Sequence, residues 1–583
     1  MLRLHLFLFT TLLAGFADDA HAASIFTHYN DEEHKGTDLC HSLVFCNSEL
    51  LKTVQLANIF NDSKTFVDHY QLNDPSVTLA NFERLMSETN RKPSKDQIAK
   101  FVAENFANTN EVLPWNPPDW QPNPPILERI EDPNIRDWVK QLNGIWKNLS
   151  RQMSPDVLKH PERHSFIPVE HGYIVPGGRF QELYYWDSYW GVEGLLLSGM
   201  TQTARGIILN LLSMVERFGF VPNGGRIYYL MRSQPPLLIP MIEKYVEATG
   251  DIEFLADNLL TMEKEFAYFQ REKTVDIVKD GKTYRMARYI VSSQGPRPES
   301  YREDYKLAQF FPEAQRNTLY EDLKAGAESG WDFSSRWFVT DGDKVGNLSN
   351  TSTRSIIAVD LNAFLQRNAR LLAEFNELLG NRVKAREWMD VANAYQEAID
   401  EVLWNEQFGI WLDYNIKNGQ QRHHFYATNL TPLYTKSFNA SRAAYYAKRT
   451  VEYLKSQGID DFMGGTPSSL SETGEQWDAP NAWAPLQSII IQGLYNTNAE
   501  PALSASKELA TRWLRSNYLG FERYNQMFEK YDSGNPGHYG GGGEYIVQPG
   551  FEFTNGVVFE FLDMYPDITW SDSSCNGCDT FDR

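Results

Sequence analysis

Carboxylates, arginines, amides and aromatic rings collect in a few short stretches that lack a regular helical or strand pattern. "PGGRFQELYYWDSYWG" (Pro176–Gly191) holds Arg179, Glu182, Trp186 and Asp187 among aromatic neighbours. "VPNGGRIYYLMRSQPP" offers Asn223, Arg232, Ser233 and Gln234, and "GPRPESYRED" offers Arg297, Pro298 and Glu299. "AGAESGWDFSSRW" carries Glu328, Gly330, Trp331, Asp332 and Arg336, and "EQWDAPNAWAP" carries Gln476, Trp477, Asp478 and Trp483. "MFEKYD" adds Glu529, and "GGGGEYIVQPG" adds Glu544. Carboxylates and arginines grip hydroxyls through charge-assisted hydrogen bonds, about twice as strong as neutral ones. Aromatic faces cover the C–H faces of a sugar ring, so the combination points to a carbohydrate ligand. Two separated acids suit glycoside hydrolysis, which uses one carboxylic acid and one carboxylate about the scissile bond. Spacing alone does not single out the pair, because a buried Asp is more often a cap or an ion-pair partner.

Such stretches need a rigid frame to bring them together. From Ile130 the chain alternates long amphipathic segments with short irregular ones. In "FLQRNARLLAEFNELLG", Leu371, Leu372, Phe375, Leu378 and Leu379 fall on one helical stripe closed by Gly380. "VKAREWMDVANAYQEAIDEVLW" repeats the pattern at once, and convincing period-2 runs are few. The pattern predicts one large all-α domain of helical hairpins, with the motifs in the joins. "LPWNPPDWQPNPP" (Leu113–Pro125) cannot be a regular helix. Its two tryptophans favour a wrapping arm over a free linker. Four organisational pieces follow: a leader at 1–22, an N-terminal helical and Pro-rich arm at 23–129, a helical domain at 130–565 and a polar tail at 566–583.

The formal charge is 55 − 76 = −21, which disfavours phosphate backbones and anionic lipid surfaces. No nucleic-acid partner is expected. "MLRLHLFLFTTLLAGFADDAHAAS" reads as a secretory signal peptide with a small-x-small site at Ala20–Ala22, and no later run is long enough to span a membrane. A secreted, extracellular protein is expected, as a monomer or weak homo-oligomer. Cys40, Cys46, Cys575 and Cys578 then fit disulfides near the ends, with Cys40–Cys46 favoured. Asn-x-Ser/Thr sites at Asn61, Asn148, Asn347, Asn350, Asn429 and Asn439 agree with secretion, and each must be exposed to carry a glycan. In "HPERH" (His160–His164), Pro161 stands where a zinc helix motif needs Glu, so a loop is expected there and no metal site. "GGGGE" lacks the Lys-Ser/Thr ending of a phosphate loop and reads better as a hinged lid. No cofactor is implied.

"PGGRFQELYYWDSYW" and "QWDAPNAWAP" closely resemble the two signature motifs of the trehalase family. "RSQPP", "RPES", "ESGWDFSSRW", "EKYD" and "GGGGEY" resemble its remaining blocks, in family order, over about residues 130–565. The resemblance implies an (α/α) barrel of six helical hairpins and hydrolysis of the α,α-1,1 bond of trehalose to two glucoses with inversion. It matches Asp332 to the general acid and Glu529 to the general base. It matches Arg179, Trp186, Asp187, Asn223, Arg232, Ser233, Gln234, Arg297, Pro298, Glu299, Gly330 and Glu544 to sugar-binding positions. An inverting glucosidase of the same barrel acting on another linkage is the alternative. One departure stands out: Phe551-Glu552-Phe553 occupies the place where the family commonly has Phe-Gly-Trp.

Overall fold

In the computed structural model, residues 39–108, 111–340 and 346–570 are described. The leader at 1–22, Cys575, Cys578 and nearly all of the tail lie outside them.

Six helices meet side by side in a closed ring: Asp187–Leu197, Leu238–Thr249, Val359–Leu378, Thr431–Tyr434, Ala484–Asn496 and Glu552–Met564. Their sequences explain the inner position. Asp187–Leu197 and Glu552–Met564 are buried on almost every side, as a helix packed all round must be. Each inner helix has an outer partner with a single apolar stripe. Arg382–Ala398 buries Ala385, Trp388, Val391, Ala392 and Tyr395 at helical spacing against Val359–Leu378. Outside the others run Thr201–Phe218, Ile252–Glu272, Ala443–Ser456 and Ala502–Tyr524. The sixth partner comes from the start of the domain: Pro133–Leu149 packs on Glu552–Met564. One hairpin is thus built from the two ends of the domain, which closes the ring. This is the (α/α) barrel expected from the motifs. One detail differs: Leu371, Leu372 and Phe375 are buried and Leu379 is partly so, whereas Leu378, the last residue of its helix, is exposed.

Helix pairing at the ring centre depends on absent side chains. A Cβ on Gly194 would lie 2.9 Å from Gly556 Cα, and one on Gly556 would lie 2.0 Å from the Trp190 carbonyl oxygen. The first and last inner helices therefore touch backbone to backbone.

Residues 39–108 and 111–129 precede the ring as a helical arm with a core of its own. Leu50, Leu51, Val54, Phe66, Phe82, Phe101 and Phe106 pack together and close on Tyr184, Tyr228, Tyr229 and Tyr301 of the barrel. Cys40 and Cys46 are disulfide-bonded, as favoured, with Cα atoms 5.8 Å apart. The Pro-rich passage wraps: Val112–Pro114 pairs with Ser150–Met153, and the Trp120 indole donates to the Asn143 carbonyl at 2.9 Å. Asn61, Asn148, Asn347 and Asn439 are exposed. Asn429 is not, and the glycan expectation is corrected there. Its side chain is 1% exposed, donates to the His424 carbonyl and accepts from the Tyr426 N–H. "HPERH" is a short 3₁₀ turn, and His164 is buried between Glu111 and Asp156. Among the described residues no cluster of three or more His, Cys, Asp or Glu side chains suits a metal, and no helix is long and apolar enough to cross a membrane.

Candidate active site

The irregular stretches converge at one end of the ring on a cavity of about 720 Å³, open solvent at its mouth included. Its wall includes Arg179, Trp186, Asp187, Asn223, Arg232, Gln234, Arg297, Glu299, Gly330, Asp332, Glu529 and Glu544. Two sequence-predicted residues stand behind it. The Ser233 hydroxyl donates to the Val221 carbonyl at 2.6 Å, and the Pro298 carbonyl accepts from the Gln55 amide at 3.1 Å. Both brace their neighbours.

The opening loop is pinned from several sides. The Trp186 N–H donates to the Gln234 side chain at 3.0 Å, and Asp187 then begins the inner helix Asp187–Leu197. Arg232 binds Asn223 at 3.1 Å and pairs with Glu299 at 2.7 Å. Arg297 pairs with Asp304 at 2.6 Å and with Glu544 at 2.9 Å, and Ser300 also donates to Glu544. Glu544 thereby ties the glycine-rich loop across the cavity. Five polar atoms on these wall residues have no protein partner among the described residues: Arg179 Nε, Asn223 Nδ2, Arg232 Nε and Nη1, and Glu299 Oε2. Unsatisfied buried polar atoms in a native fold call for an explanation. Sugar hydroxyls would supply the missing bonds.

Asp332 leaves the turn after helix Glu313–Glu328, where Gly330 has φ +80°. A Cβ on Gly330 would lie 2.7 Å from the Trp186 ring, so the glycine lets the indole lie on the backbone. Below, Trp331 stacks on Trp477 and Trp477 on Trp483, with centroids 5.5 and 3.9 Å apart. Arg336 underpins Trp331 and is fully buried, with Asp360 and Asp413 each at 2.8 Å. Asp478 knots the neighbouring loops by accepting from the Ser334, Ser335, Ser469 and Thr473 hydroxyls. Glu529 enters from a strand pair in which Trp483 opposes Lys530.

The two candidate acids have different surroundings. Burial pushes the Asp332 carboxyl up to about 7; Arg297 opposes this and Glu544 adds to it. Among the described residues no hydrogen-bond donor other than its own amide reaches the Asp332 carboxyl, and burial outweighs the pull of Arg297 and Arg232. Burial also pushes Glu529 up to about 7, but it has donors: the Gln548 N–H at 3.2 Å, the Tyr545 hydroxyl at 3.4 Å and Lys530 Nζ at 3.7 Å. Both carboxyls are thus raised to about 7, and they differ in the donors around them.

Asp187 has no cation beside it. Burial lifts it to about 8, its own backbone amide opposes this, and Asp332 and Glu529 add to the lift. Behind it lies the departure noted in the sequence. Glu552 is fully buried, and neither of its carboxyl oxygens has a protein partner. Its side chain fills the space over Gly191, where a Cβ would lie 2.0 Å from Glu552 Oε1. Burial, with Asp187 adding, pushes Glu552 well above the usual carboxylate range.

These lifted acids set a pH dependence of stability. The folded values of Asp187, Glu265, Asp332, Glu475 and Glu529 lie at about 7 to 8, whereas unfolded carboxylates titrate near 4. Between those limits the folded state holds more protons. The stability these groups contribute is full below about pH 4 and is lost as pH rises through about 7 to 8. Thermal melts should therefore show the midpoint falling by more than about 5 °C between pH 5 and 8. Glu552→Gln should flatten that fall; a midpoint rising with pH would contradict these assignments.

Several wall residues carried no individual sequence signal: Lys64, Tyr229, Ser300 and Tyr545. Trp477 and Trp483 were visible within their motif. Lys64 could not be anticipated, because it comes from the arm and reaches the wall by tertiary packing alone. Glu182 and Glu328, both visible in motifs, are buried braces: Glu182 pairs with Lys64 and Glu328 with Lys273, each at 2.6 Å.

Comparison with known proteins agrees with this geometry. The family model described as Trehalase matches residues 58–566. A trehalase of Pimpla hypochondriaca is 62% identical over 538 residues, covering 92% of each chain. A trehalase of Homo sapiens is 44% identical over 529 residues, covering 91% of this chain and 90% of that one. The solved neutral trehalase of Saccharomyces cerevisiae superposes with a TM-score of 0.54 at 24% identity, over 67% of this chain and 73% of that one, a likeness of fold. A barrel closed by its own two ends, a cavity walled by the matched motifs and relatives of this similarity over nine-tenths of the chain have one reading: this chain belongs to the trehalase family.

Proposed function

We propose that this protein hydrolyses the α,α-1,1 bond of trehalose to two glucoses with inversion at one anomeric carbon. Asp332 gives its proton to the bridging oxygen as the bond breaks, and Glu529 takes a proton from the water that attacks the other ring face. Arg179, Trp186, Asp187, Asn223, Arg232, Gln234, Arg297, Glu299, Gly330 and Glu544 hold the two sugars, with Ser233 and Pro298 bracing the wall. The observation that carries the assignment of roles is the asymmetry between the acids: Glu529 accepts from Gln548 and Tyr545, and Asp332 has no such donors. The chain is read as a secreted glycoprotein with its leader at 1–22, its arm at 23–129, its catalytic domain at 130–565 and its tail at 566–583.

Inversion leaves a direct signature. Proton NMR of fresh product should show one α- and one β-glucose from each trehalose before mutarotation. Two α-glucoses would mean net retention and would remove Glu529 from its role as water activator.

A further inference from the structure

Arg179 is a wall residue with space on two sides. It borders the substrate cavity and also a second cavity of about 660 Å³, open solvent at its mouth included, between the arm and the barrel. Close packing therefore cannot fix its guanidinium. Three contacts hold it: the rings of Tyr545 and Phe180, 4.6 and 5.2 Å away, and Asp62 of the arm, the one charged partner of the three, whose Oδ1 accepts from Arg179 Nη2 at 2.8 Å.

Asp62 is 39% exposed, and an ordinary surface pair of that kind contributes little, because two long side chains must be ordered to form it. This pair differs in being set in advance. The same Oδ1 accepts from the Lys64 N–H at 2.9 Å, a local turn that aims the carboxylate. The flanking backbone is held by the barrel: Arg302 donates to the Asn61 carbonyl at 2.6 Å, and the Ser63 hydroxyl donates to Glu303 at 2.6 Å. Arg179 in turn neighbours Tyr545, which donates to Glu529. A chain of fixed contacts thus runs from the arm to the proposed base.

We propose that Asp62 is a positioning residue for Arg179, so that the N-terminal arm completes the substrate site of the barrel. The inference rests on the reading above that Arg179 holds a sugar. It assigns the arm a part in substrate recognition beyond covering the barrel.

A double-mutant cycle in the full-length protein tests it. Trehalose kcat and KM are measured for Asp62→Ala, Arg179→Ala and the double variant, with thermal melts alongside. Asp62→Ala should raise KM about tenfold with kcat changed much less, and the double variant should match Arg179→Ala within about twofold, because coupled neighbours are not additive. If Asp62→Ala behaves as the unsubstituted protein while Arg179→Ala is impaired, the positioning role is wrong and the reading of Arg179 stands. If Arg179→Ala is itself unimpaired, the reading of Arg179 fails. Effects that multiply in the double variant would show Asp62 acting by another route and would overturn the proposal. Should Asp62→Ala lower the melting point, Asp62→Asn takes its place in the cycle. It keeps the acceptor for the Lys64 N–H and loses only the charge, and KM must still rise.

Discussion

Asp332→Asn lowers trehalose turnover by about 10²–10⁴-fold while the protein folds as before. The amide matches the carboxyl in size, so the Trp186–Gly330 contact and the tryptophan stack beneath are undisturbed. It cannot deliver a proton, and two other nearby acids are already engaged. Glu328 is locked to Lys273, and Glu544 is engaged by Arg297 and Ser300. Folding should even become less pH-sensitive, because one lifted carboxyl is gone. Glu529→Gln should cost a comparable factor, and residual rates distinguish the two roles. The alkaline limb of the pH–rate profile reports loss of the acid's proton, so it should vanish in Asp332→Asn. The acid limb reports protonation of the base and should vanish in Glu529→Gln. Limbs that vanish in the opposite order would exchange the assignments, and near-normal turnover in either variant would move that role elsewhere.

Arg336→Met should destabilise the protein by about 3–5 kcal/mol, visible as a lower denaturation midpoint. Arg336 is fully buried and binds Asp360 and Asp413 through both sides of its guanidinium. Removing it strands two buried carboxylates rather than one hydrogen bond. Arg336→Met combined with Asp360→Asn and Asp413→Asn should recover much of the loss, since the stranded charges cause most of it. Activity should fall with stability in the single variant, because the guanidinium supports the Trp331 ring next to Asp332. A single variant as stable as the unsubstituted protein would show that the two aspartates find other partners.

Much of the site was legible in the sequence because its residues sit in short stretches of unusual composition. Arg179, Trp186, Asp187, Arg232, Arg297 and Glu299 reach the wall from three such stretches. What the sequence hid depends on long-range packing. Ser233 and Pro298 lie in the right loops but point behind the wall, and no local pattern records on which side a loop residue falls. Lys64 sits in an otherwise ordinary arm helix and joins the wall because Glu182 and Asp68 hold it there. The helical pattern gave the hairpins but not the closure, in which Pro133–Leu149 serves as partner to Glu552–Met564 across the whole domain. Leu378 shows the limit of periodicity, which marks a stripe but not where the neighbouring helix stops covering it.

The contact between Glu552 and Gly191 also constrains how this sequence can change over generations. Any side chain at 191 would collide with the Glu552 carboxyl, since a Cβ there would lie 2.0 Å from one of its oxygens. In a lineage carrying Glu552, alanine at 191 therefore requires the Glu552 side chain to move aside. A smaller residue at 552 removes that demand and leaves 191 freer to vary. The reverse order passes through a protein in which Glu552 must first give way. Substitutions at these two positions, far apart in the chain, should accordingly be found together or in that order, and a pairwise library at 191 and 552 would expose the disfavoured corner directly.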